Sequence, residues 1–278
     1  MVVAILYVFL LAPLVIVIVV SFTSSNYLDF PPPELSLRWY RELVSDSRFL
    51  TSALLSLRIG LVAMTLSVVL GVLISLALAR THLRFRWGFR LLALGPLIVP
   101  YVILGLGLFY VFLRLGLRGS ALSVMLAHTV VTTPFVVVLV SSSLHDIPRN
   151  LREAAASLGG GPFVVFRRVT LPLIAPALAG SALIAFIISW DEFILAFLLS
   201  TPQSQTLPVL IFSLLRDRME PTIAPISTLL IGVTVVFVWG FETLRRKAQK
   251  MRSGMKTELS SDEEAALPAR RESVAEAV

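Results

Sequence analysis

The chain has no cysteine and little charge: 15% of its 278 residues are Asp, Glu, Lys or Arg, where a soluble globule carries about a quarter. The first absence removes disulfide frameworks and thiolate metal sites, and leaves the redox compartment unreadable. The second, with a mean hydropathy of +0.87, excludes an ordinary soluble domain. Catalytic signatures are missing too. No H-E-x-x-H pair, Ser-His-Asp constellation or glycine-rich dinucleotide turn occurs, and Gly159-Gly160-Gly161 lacks the lysine that a phosphate-binding loop requires. The chain is therefore not expected to bind ATP by that device or to hold an enzyme active site, a cofactor or a metal.

What it does have is apolar length. A bilayer core of about 30 Å needs about 20 residues of helix, and lipid cannot satisfy free backbone groups, so uncharged runs read as helical spans. Six are expected, at about 2–22, 56–79, 91–113, 120–143, 174–199 and 222–241. The fold class is all-α integral membrane, with residues 1–250 as the six-helix domain and 251–278 as a disordered cytoplasmic tail rich in Ala, Glu and Ser. The first run exceeds the usual signal-peptide core, so it is expected to stay as a span. It starts at Met1 with no basic residues ahead of it, and we expect such residues to precede it. Arg58 sits near one end of the second span and can snorkel to the interface.

The net charge of +7 is distributed for a membrane rather than for nucleic acid. Arg80, Arg84, Arg86 and Arg90 follow span two, Arg149, Arg152, Arg167 and Arg168 follow span four, and a run from Arg245 to Lys256 follows span six. Positive residues mark the cytoplasmic side, so these segments and both termini are expected there. Residues 23–50 form an outward segment in which Pro31-Pro32-Pro33 enforces extended chain and Ser36 can cap a short helix over Leu37 to Val44. Proline and glycine punctuate the spans, which suits a packed bundle. No internal repeat is visible, nor the matched pair of broken helices typical of inverted-repeat transporters.

Asp191 and Glu192 are the costliest residues within a span, and an intramembrane acid faces protein or water. Two readings follow: a cation-attracting contact on a translocation path, or an ion-paired group that orients the helix. Successive helical residues diverge by about 100°, so at most one of the two can face a pore squarely. His128 with Thr129, Thr132 and Thr133 gives span four a polar stripe suited to interhelical hydrogen bonds.

The most informative stretch is Glu153 to Pro172. Glu153-Ala154-Ala155 reads as the end of a helix, the three glycines tolerate the positive φ wanted at a helix C-terminus, and Pro162 suits the first turn of another. Leu171-Pro172 is expected to end that second helix before the next span. Glu153, Ala154, Ala155, Gly159, Leu171 and Pro172 fall at the positions of the E-A-A, G and I-x-L-P pattern, with Val169 where Ile is usual. The chain thereby resembles the binding-protein-dependent ABC importer permeases, in which this loop, here about 144–172, is the helix that docks on the ATPase. Ser189-Trp-Asp-Glu-Phe193, Thr206-Leu-Pro-Val-Leu210 and Ile226-Ser-Thr-Leu-Leu230 resemble the spermidine/putrescine permease branch.

The resemblance implies a six-transmembrane-helix type I ABC importer half in the bacterial inner membrane. It implies a second, homologous permease subunit, a cytoplasmic ATPase dimer that binds the ATP and Mg, and an extracytoplasmic solute-binding protein. The acidic pair Asp191-Glu192 would then suit a polyamine cation. Permeases for other small solutes share the loop, and a secondary transporter driven by an ion gradient is the rival from another class.

Overall fold

The computed structural model describes residues 2–79, 86–217 and 221–243. The expected tail at 251–278, the cationic run from Arg245 to Lys256, Arg80, Arg84 and both chain termini lie outside the described residues. Two compact units are present, Met1–Val236 and Phe237–Val278, and the second is described only as helical turns ending at Thr243.

Helix α1 (Val2–Val20) has 19 residues, about 28 Å at 1.5 Å per residue, and its large apolar side chains are exposed. The segment behind it is tied back on itself. Thr23 bridges Leu35, Trp39 Nε1 donates to Ser25 O at 3.0 Å, and the Ser21 and Tyr40 hydroxyls meet at 2.7 Å. Ser36 Oγ accepts the Arg38 N–H at 3.1 Å, but the N-cap of α2 (Arg38–Ser45) is Leu37 rather than the expected Ser36.

Asp46 Oδ1 accepts the Arg48 N–H at 2.8 Å and so caps α3 (Ser47–Ala79), a helix of 33 residues. At about 50 Å it outruns a bilayer core of about 30 Å, which leaves exposed Arg58 near an interface. One face of α3 is small: Ser52, Ser56, Gly60, Ala63, Ser67, Gly71 and Ser75 are all buried. These recur every three or four residues and so form a single stripe that admits neighbouring helices closely. A Cβ on Gly71 would stand 2.5 Å from Val136 Cγ1, and one on Gly60 would stand 2.9 Å from the Phe186 ring.

The expected third span is not one helix. Helix α4 (Arg86–Leu94) passes through a 3-10 turn, Gly95–Leu97, into α5 (Tyr101–Arg114), and the two halves are bent by 105°. Pro100 lacks an N–H donor and pushes Val99 out of the helical region, so the helix is interrupted between Leu97 and Tyr101.

Helix α6 (Ala121–His145) is capped by the Ser120 side chain, which accepts the Ser123 N–H at 3.2 Å. A short α7 (Arg149–Ser157) follows. Helix α8 then runs unbroken from Pro162 to Asp191, α9 covers Ile194–Leu199, α10 Leu207–Asp217 and α11 Ile223–Thr243. Four of the expected spans are therefore unbroken helices long and apolar enough to cross a membrane: α3, α6, α8 and α11. The fifth expected span ends at Asp191 rather than at 199, with Glu192 extended.

The core is made by α3, α6 and α8. Ser67 Oγ meets Thr132 Oγ1 at 2.6 Å and Ser75 Oγ reaches Val137 O at 3.3 Å, so α3 and α6 run parallel. Helix α8 runs against them, with Phe186 on Gly60 and Ile174 packed with Val136, Val140 and Leu144. The carboxyl ends of α3 and α6 and the amino end of α8 thus share one end of the bundle. Asp191 and the amino ends of α3 and α6 share the other.

Candidate functional site

Two places carry the candidate residues, one at each end of α8. At the first, α7 closes in a Schellman turn. Gly159 has φ +82°, its N–H donates to Ala156 O at 3.0 Å, and the Gly160 N–H donates to Ala155 O at 3.1 Å. Those bonds satisfy carbonyls that a helix end would otherwise leave free. Gly160 is fixed by space rather than φ, because a Cβ there would stand 2.6 Å from Ala155 O. Gly161 precedes Pro162 at the first position of α8.

Leu171-Pro172 does not end the helix as expected. The turn Phe166–Thr170 is a π-helix, in which the Leu171 N–H reaches back five residues to Phe166 O. This wider turn lies directly before Pro172, where an α-helical bond would need the N–H that proline lacks, and the helix continues. Leu171 faces the core beside Val136 and Val140, while Pro172 is exposed. Glu153, Ala154, Leu158, Phe163, Arg167 and Arg168 are exposed as well, with Leu158 at 90% and Phe163 at 72%. The result is an exposed surface with apolar tips at Leu158 and Phe163 beside the Glu153 carboxylate and the Arg167 and Arg168 guanidinium groups.

At the other end, Asp191 and Glu192 have parted company. Asp191 is exposed, whereas Glu192 is 6% exposed. Both Glu192 oxygens accept the Leu195 N–H, at 3.1 and 2.9 Å, and Oε2 also accepts the Ala196 N–H at 3.2 Å. The carboxylate thereby caps α9, where free amides and the helix dipole favour negative charge. His128 Nε2 stands 3.4 Å from Glu192 Oε2, off line for a hydrogen bond, so that contact is electrostatic. His128 Nδ1 is hydrogen-bonded to Ser189 Oγ at 2.8 Å.

The polar stripe of α6 thus does bond across helices, to α8 through His128 and to α3 through Thr132. The sequence showed the stripe but not its partners, Ser67 and Ser189, which are ordinary serines in apolar runs. The bent pair α4–α5 and the interruption between α8 and α9 pack together. Helix α9 lies on α5, where a Cβ on Gly105 would stand 2.6 Å from Leu198 Cδ1 and 3.0 Å from Leu195 Cδ2.

A packed helical bundle with several helices long and apolar enough to cross a membrane defines a multi-pass membrane protein. Residues 67–241 match the binding-protein-dependent transport system inner membrane component family, and the chain belongs to it. It is 36% identical to the putrescine transport system permease protein PotI of Escherichia coli (strain K12), across 88% of this chain and 90% of that protein. It is 27% identical to the spermidine/putrescine transport system permease protein PotC of the same organism, across 90% of this chain and 94% of that protein. A bacterial ABC transporter that imports the acidic polysaccharide alginate shares the fold, with a TM-score of 0.68 at 15% identity over 88% of this chain and 92% of that one. The chain is accordingly a non-catalytic membrane subunit of an ABC importer, a multi-pass protein of the bacterial inner membrane, and ATP is used by a separate partner.

Proposed function

We propose that this permease moves putrescine- or spermidine-like polyamine cations into the cytoplasm. The observation that carries the reading is the 36% identity to a putrescine permease over nearly the whole chain, joined to an exposed carboxylate, Asp191, at the end of α8 away from the Gly-closed turn. A cytoplasmic ATPase dimer holding ATP and Mg docks on Glu153, Ala154, Ala155 and Gly159, in the segment whose sequence pattern runs on to Leu171 and Pro172 within α8. The exposed Leu158 and Phe163 support this, because apolar tips on a polar turn gain by burial in a partner groove. A second, homologous permease completes the pore, and an extracytoplasmic solute-binding protein delivers the cation. Both termini lie in the cytoplasm on this reading, with the arginine-bearing loops.

The experiment is uptake of radiolabelled putrescine and spermidine into vesicles holding the complete transporter. ATP-dependent uptake of at least one is expected. Uptake of neither, from a complex that hydrolyses ATP in response to another solute, would overturn the polyamine reading and leave the ABC reading standing.

A further inference from the structure

Around the Glu192 carboxylate the protein occupies the directions that a solute would need. Glu192 is extended (φ −72°, ψ 117°) between α8 and Phe193, so its side chain leaves the helical register and turns inward. Two amides of α9 and the His128 ring close on it, and Tyr101 of α5 packs against the cluster that holds Leu195 and Ala196. An ionised carboxylate buried without partners costs several kcal/mol, so these contacts are what permit it there. Ser189 engages His128 Nδ1, which leaves Nε2 as the ring atom beside Glu192. The chain of contacts runs from α6 through His128 to Ser189 and Glu192, and so ties the break after α8 to a core helix.

We propose that Glu192, His128 and Ser189 form a lock that fixes the break between α8 and α9 and so sets where the Asp191 carboxylate stands. Glu192 and His128 are positioning residues. This deepens the polyamine reading, on which the role given to Asp191 rests, but the lock itself can be tested without any solute. Asp191 is the last residue of α8 and Glu192 the first beyond it, so any loosening of Glu192 swings the carboxylate next to it.

Because the chain has no cysteine, Asp191→Cys gives a clean probe of that position in the assembled transporter. Its rate of modification by a cationic methanethiosulfonate is expected to change at least fivefold when Glu192→Gln is added. Ser189→Ala, the mildest change, is expected to move the rate in the same direction. His128→Gln with Glu192→Gln is expected to do no more than the larger of the two singles, as for residues acting as a unit. Gln203→Cys, in the loop before α10, should label at one rate in every background. In uptake, with Asp191 intact, Glu192→Gln is expected to lower the maximal rate and leave the putrescine-to-spermidine preference within twofold, while Asp191→Asn shifts that preference. An unchanged labelling rate in Glu192→Gln, or a preference shifted as far by Glu192→Gln as by Asp191→Asn, would overturn the lock. A transporter that moves neither polyamine would sink the substrate reading alone, since the labelling rates are read without it.

Discussion

At its amino end α8 grows from a turn whose ties run backbone to backbone, with Leu158 and Phe163 exposed above them. At its carboxyl end the ties run through side chains, and the carboxylate that holds them is buried. The first arrangement leaves its side chains free for a partner and depends on glycine. The second spends its side chains internally and depends on His128, Ser189 and Glu192 being present together. Surface chemistry should therefore be exchangeable at the first end without loss of fold, while backbone geometry should not. The reverse should hold at the second.

The largest effect is expected where backbone geometry is broken at the amino end. Gly159→Val places a β-branched residue at φ +82°, and Gly160→Ala drives a Cβ onto a carbonyl oxygen. Strain of about 1–3 kcal/mol at such positions should lower ATP-dependent uptake by about tenfold or more. The ATPase that co-purifies should fall with it, and membrane insertion should be intact. Unchanged uptake in both variants would remove the turn from the coupling role.

Next comes a direct contrast of the two acids. Glu192→Ala leaves the Leu195 and Ala196 amides without their acceptor, and each buried orphan costs about 1–3 kcal/mol. Thermal unfolding in detergent should show that loss. Glu153→Ala should change stability by less than about 0.5 kcal/mol, as for an exposed group. Equal losses would erase the distinction between the ends.

A smaller effect is expected at the start of α3. Hydrogen bonding from Arg48 holds the Asp46 carboxyl below its ordinary pKa. Its stabilisation is therefore complete at neutral pH and is lost as pH falls through that lowered value. Asp46→Asn, which can still cap, should be more stable than Asp46→Ala by about 0.5–1 kcal/mol, and the pH dependence should be flatter in both than in the parent.

The last test should leave function untouched. Ser157→Cys, in the exposed turn, should resist a membrane-impermeant thiol reagent applied outside intact cells, and Gln203→Cys should react. Labelling of the first from outside would invert the assigned orientation.

Much of this was legible in the residues. The run of glycines after an Ala-rich helix announced positive φ at Gly159, because a chain that must leave a helix and start another has few other means. Pro172 misled, since a proline in sequence looks like a stop, and only the π-turn before it shows how the helix carries on. Pro96 and Pro100 marked a disturbance in span three, yet nothing local could give a bend of 105°. The acidic pair was recognisable as costly, but which member is buried depends on His128, on a different helix. Likewise the small stripe of α3 is periodic in sequence, and its meaning appears only when Val136 and Phe186 lie against it.

Because α8 is continuous over 30 residues, it behaves as a rod about 45 Å long at 1.5 Å per residue. A rod of that length tilting by about 5° about one end carries its other end through about 4 Å, roughly the width of an ammonium group. A partner that grips the protruding turn, and so pivots the rod there, needs only a slight change of angle to shift Asp191 by a distance a small cation would register. Leverage, rather than any local rearrangement, is what an unbroken helix between the two places supplies.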